Sequence, residues 1–154
     1  MSQKGFTLIE LMITLAVLAV LLGLAAPNVA ELLRNNRAAT EINSFAGMFA
    51  FARREAVQRA QVIKIQGPLA ADGSWQVLRS SDSLELRVFP ALASFAVSPA
   101  GVKSVEFDSR GQLAGGAAVS FDLLAKDSEL NCDVYNRTLA IELSGAASLR
   151  KRGC

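Results

Sequence analysis

KGFTLIELMITLAVLAVLLGLAAPNVA, Lys4 to Ala30, is the stretch on which the fold turns. A basic residue and a glycine lead into an apolar run about twenty residues long, broken by a single carboxylate, Glu10. At about 1.5 Å per residue, a helix of that length matches the roughly 30 Å hydrocarbon core of a bilayer. The run therefore reads as a membrane segment. Its order differs from that of a secretory signal, because the small residue, Gly5, stands before the apolar run and not after it. Cleavage after Gly5 would leave the helix on the mature chain. Glu10 is costly in lipid unless it is paired, and intramembrane charges are functional by default. The expected partner is the α-amino group of Phe6 released by such a cut, positive at neutral pH. Between neighbouring helices that pair would set a stagger.

Outward from this segment, roughly 125 residues remain, enough for one compact domain and not for two. Lys and Arg number 16 against 14 Asp and Glu, a net charge of +2, which excludes a strong global field of either sign. The basic groups gather at two places: Arg34, Arg37, Arg53, Arg54 and Arg59 after the apolar run, and Arg150, Lys151 and Arg152 near the other end. Histidine is absent and the cysteines are two, Cys132 and Cys154. In an exported domain they read as a disulfide pinning the carboxyl end, worth on the order of 3 kcal/mol by the loop-entropy model. Two free thiols are the alternative, and a zinc site would need about four ligands. Lys4 on the short flank places that side in the cytoplasm, and the cysteines favour export of the rest.

From Asn28 to about Ala60 the helical pattern continues with a different character. Ala38, Ile42, Phe45, Phe49, Ala52 and Ala56 recur at alternating four- and three-residue steps and form one apolar stripe. Phe6 to Ala60 is expected as one helix of about 80 Å, loosened near Gly23 and Pro27. Its second half would lie against a sheet. Beyond Ala60 the period becomes two, with runs at Val62–Gln66, Ser74–Arg79, Leu84–Phe89, Lys103–Phe107, Ala118–Leu124, Tyr135–Leu143 and Ser148–Arg152. Turn signals separate them at Ala71–Gly73, Ser109–Gly111, Gly115–Gly116 and Ser144–Gly145. Antiparallel sheet is expected, with Pro90 to Gly101 as an irregular exposed connection.

The octapeptide KGFTLIEL closely resembles the class III signal of type IV pilins and type II secretion pseudopilins, matched in order by Gly5, Phe6, Thr7, Leu8, Ile9 and Glu10. That resemblance implies cleavage after Gly5 by a prepilin peptidase and methylation of the new amino terminus at Phe6. Pro27, after two alanines, stands where such pilins commonly break their helix. Asn35 to Arg37 and the run FARREAVQRAQV, Phe51 to Val62, are similar to the segment shared by the GspH/FimT family, through Ala52, Arg53, Glu55, Ala56 and Arg59. FDSRGQL, Phe107 to Leu113, resembles a strand-turn segment of the same family. From the residues alone, Glu55 and Arg59 are an i,i+4 pair on a solvated helix face.

The chain holds no nucleotide loop, no metal spacing and no nucleophile-base pair, since a Ser-His arrangement requires histidine. Asp122, Asp127 and Glu129 read as solvated loop charges in preference to paired carboxylates. An enzyme is not expected, nor a cofactor. Arg150, Lys151 and Arg152 could present a basic patch to DNA phosphates. FimT-type pilins are thought to bind DNA through a Gly-Arg-x-Arg motif near this end; here Arg150 and Arg152 keep the spacing, while Leu149 replaces the glycine. The bland reading is a solvated edge that guards against strand pairing.

The expected fold is α+β, type IV pilin-like: a long amino-terminal helix, transmembrane and then amphipathic, packed on a carboxyl-terminal antiparallel β-sheet domain. The expected divisions are a leader at 1–5, a membrane and filament-core helix at 6–30, its amphipathic half at 31–60 and a β-rich domain at 61–154. The resemblance implies a minor pilin that enters or primes a pilus, held first in the bacterial inner membrane with its domain in the periplasm. Its partners would be prepilin peptidase and other minor and major pilins. The alternatives are a DNA-binding minor pilin for transformation and the type II secretion pseudopilin H.

Overall fold

The computed structural model describes residues 7–69, 71–99, 104–126 and 130–154, with backbone alone at 24–27. Gly5 and Phe6, the expected processing site, lie outside the described residues, as do Asp127 and Glu129. A helix, α1, runs from Leu8 to Arg59, and the chain divides into two compact units, Met1–Asn36 and Arg37–Cys154.

In the first unit, the helix displays its apolar side chains to the outside. Leu8, Ile9, Val20, Leu22 and Leu33 are each more than half exposed. By length and composition this helix can cross a membrane. Its start is set by Thr7, whose hydroxyl accepts the Glu10 N–H at 3.3 Å. Thr7 thus acts as the N-cap, three residues before Glu10.

The second unit is built on the amphipathic part of α1. All six residues of the expected stripe, Ala38 to Ala56, are buried, and Met48 joins them. Against this stripe, among the described residues, lie eight strands in two antiparallel four-stranded sheets. The first sheet has the order β3-β2-β1-β5, from β1 (Ile63–Gln66), β2 (Trp75–Arg79), β3 (Glu85–Phe89) and β5 (Ser104–Phe107). The second has the order β4-β6-β7-β8, from β4 (Phe95–Ser98), β6 (Val119–Ala125), β7 (Arg137–Ile141) and β8 (Ala147–Lys151). Alternation fixes the inward faces: Ile63 and Ile65, Phe121 and Leu123, and Leu139 and Ile141 are all fully buried. An aromatic cluster joins the layers. The Phe45 ring stands edge-on to Trp75 of the first sheet at 5.3 Å and to Phe121 of the second at 5.8 Å. Each such pair adds about 0.5–1.5 kcal/mol beyond its area.

Two expectations are corrected. The connection Pro90 to Gly101 contains β4, whose Phe95 is buried and pairs with Ala125. The run expected to start at Tyr135 begins as a short helix, α2 (Cys132–Tyr135), because the Asn131 side chain caps it by accepting the Asp133 N–H at 3.0 Å. β7 follows from Arg137.

Candidate functional site

Three segments distant in sequence meet at the end of α1. The Arg53 Nε donates to the Gly111 carbonyl at 3.1 Å, and its Nη2 donates to the Ser144 carbonyl at 3.1 Å. One guanidinium therefore holds the turn after β5 and the turn between β7 and β8. The Leu113 N–H donates to the Leu143 carbonyl at 3.0 Å and ties the same two turns directly. The first turn is shaped by Asp108, whose carboxylate accepts the N–H groups of Arg110 and Gln112, both at 2.9 Å. Those bonds, the Gln112 N–H foremost, hold the Asp108 carboxyl below its usual range. Gly111 and Gly145 both take positive φ, 76° and 77°, so each turn uses a glycine where a side chain would strain.

The run around Arg53 separates into distinct duties. Ala52 and Ala56 are fully buried, Glu55 and Arg59 form the expected i,i+4 pair at 2.5 Å, and Arg54 points to solvent. Beside them opens a groove of about 720 Å³ between α1 and the start of β8. Ala50, Arg53, Arg54 and Val57 line one side, Gly145 and Ala147 the other. The bridging role of Arg53 leaves no signal in the sequence beyond an arginine in the run Phe51 to Val62.

The tail residues lie on and just beyond β8. Cross-strand pairing sets Arg150 opposite Thr138 and Lys151 opposite Arg137. Strand alternation then places Arg150 and Arg152 on one face and Lys151 on the other. Arg152 forms an ion pair with Asp122, which also accepts the Thr138 hydroxyl at 2.7 Å. The Thr138 hydrogen bond first, and then Arg152, lower the Asp122 carboxyl below its usual range. The three consecutive cations do not make one continuous patch. Cys132 and Cys154 are joined as a disulfide, with Cα atoms 5.3 Å apart. The Cys154 N–H also donates to Asp133 Oδ1 at 3.2 Å, and the Arg152 N–H to the Asn136 carbonyl at 3.1 Å. Glu10, in the other unit, sits in the first turn of α1, where the helix dipole favours a negative charge.

Residues 1–26 match the family model of the prokaryotic N-terminal methylation motif, and residues 41–145 match that of type II transport protein GspH. Two solved structures, both of the type IV minor pilin FimU of Pseudomonas aeruginosa in different crystal forms, share the fold. The first has a TM-score of 0.63 at 21% identity and covers 76% of this chain and 90% of its own. The second has a TM-score of 0.57 at 20% identity, covering 75% and 91%. No curated protein sequence matches the chain.

Proposed function

Because the chain belongs to the family of type II transport protein GspH and carries the N-terminal methylation motif, we propose that it is a minor type IV pilin. A prepilin peptidase cuts it after Gly5, Phe6 is methylated, and the first unit of α1 holds it in the bacterial inner membrane with the second unit in the periplasm. It then leaves the bilayer to enter or prime a filament with other minor and major pilins. Glu10 recruits the Phe6 amine of a neighbour and so fixes register.

One observation carries this reading: an apolar helix that its own compact unit leaves exposed, with Glu10, the one carboxylate of its apolar run, in the first turn. Lipid or like helices are the surroundings that such a surface requires. The fold shared with FimU adds support. Mass spectrometry of the protein purified from membranes tests the proposal. A chain starting at an N-methylated Phe6 is expected; a chain that keeps its first five residues overturns it.

A second reading, a pseudopilin of type II secretion, draws on the family model's own description. Deleting the gene separates the two, since one predicts loss of surface pili and the other loss of protein secretion.

A further inference from the structure

We infer that the free edge of β8 takes up an extended acidic segment of a partner polypeptide, added as a fifth strand to the β4-β6-β7-β8 sheet. This stands apart from the filament role of the first unit, because every residue it uses belongs to the second.

The backbone of β8 sets the requirement. Its ladder with β7 is phased by two bonds, Glu142 N–H to the Ala146 carbonyl at 2.9 Å and Arg152 N–H to the Asn136 carbonyl at 3.1 Å. Bonded pairs alternate along an antiparallel ladder, so Ser148 and Arg150 turn their N–H and C=O groups to β7. Ala147, Leu149 and Lys151 turn theirs the other way. β8 is the last strand of its sheet, and among the described residues nothing pairs with that side. A row of such groups is a template for another strand.

The side chains beside that edge define the occupant. Leu149 and Ala147 pair with the buried Leu139 and Ile141, so they lie, with Lys151, on the sheet face that meets α1. There the 720 Å³ groove opens at the start of the strand, with Ala50 and Val57 as its apolar floor and Arg53 and Arg54 beside them. None of the residues lining it is acidic. An added strand would place every second side chain on this face, near Arg54 and Lys151. Carboxylates at those alternate positions would be attracted and basic groups repelled, so the cations that guard the edge against general pairing also select the partner. A nucleic acid could use the cations, but it would leave the backbone row and the apolar floor unmatched.

The full chain in detergent micelles can be titrated with an end-blocked octapeptide of alternating threonine and glutamate, with its threonine-lysine counterpart, and with a short DNA duplex. Amide hydrogen exchange reports the site. The glutamate peptide is expected to slow exchange at Ala147, Leu149 and Lys151 at least tenfold, and the lysine peptide to leave it unchanged. Arg54→Glu should weaken the glutamate peptide at least fivefold, with exchange in the core strands preserved. Ala147→Pro, which removes one outward donor at the start of the strand, should weaken it as well. Absence of protection at the three amides, equal protection by the lysine peptide, or duplex DNA protecting them where the glutamate peptide does not would each overturn the inference.

Discussion

A β-carbon on Gly145 would fall 1.9 Å from the carbonyl oxygen of Gly111, which puts the two turns in backbone contact. No side-chain movement can relieve a clash with a carbonyl, and the φ of 77° at Gly145 adds strain for any other residue. Gly145→Ala is expected to destabilise the second unit by about 3 kcal/mol or more. At Gly111 the added carbon would meet the Val57 side chain at 2.8 Å, a softer neighbour, so Gly111→Ala should cost less, about 1–2 kcal/mol. Urea unfolding followed by fluorescence of the single tryptophan, Trp75, measures both.

The same junction depends on Arg53. Its hydrogen bonds to the Gly111 and Ser144 carbonyls require a planar fork, which lysine lacks. Arg53→Lys and Arg53→Ala should each lower stability by about 1–3 kcal/mol. Arg54→Ala should change it by less than about 0.5 kcal/mol, as expected for an exposed helix residue. Equal effects at the two positions in the same urea titration would contradict the bridging role.

Residues Cys132 and Cys154 are 22 positions apart, so their bond closes a loop worth about 3 kcal/mol in the chain-entropy model. Reduction with dithiothreitol, or paired replacement by serine, should lower the unfolding midpoint. Hydrogen exchange in β8 should rise more than in β1, since β8 lies within the closed loop.

Acid should weaken the second unit. The Asp122 carboxyl titrates lower in the folded protein than in the unfolded chain, through Thr138 and Arg152. Its contribution is therefore complete above the unfolded value, about pH 4, and is lost as pH falls through the folded value. Asp72, Asp82 and Asp108 shift the same way and add to the slope. Thermal unfolding between pH 6 and pH 2 should show a falling midpoint, and Thr138→Val should flatten its Asp122 component.

Glu10→Gln should be processed normally at the leader yet incorporate poorly into filaments. Immunoblots of sheared pili and of membranes measure the two separately. Normal filament content in this variant would contradict the register role assigned to the carboxylate.

The stripe from Ala38 to Ala56 was legible because helical packing leaves a 3.6-residue period in the sequence. β4 was not, since its four residues between Pro90 and Pro99 are too few to show alternation and gain their partner only from β6. Division into two sheets was hidden for a related reason: strand order follows from pairing between segments far apart in the chain. The Arg53 bridge was the least legible feature. Its acceptors are backbone carbonyls 58 and 91 positions away, and no residue type announces a carbonyl as a partner.

The pleat of β8 bears on how its cations should be altered. Replacing Arg150, Lys151 and Arg152 together would dismantle the Asp122 ion pair on one surface while discharging the opposite one, and any phenotype would blend the two. Single changes at Arg150 and at Lys151, with Arg152 left intact, give an experimenter two independent dials, one for each side of the ribbon.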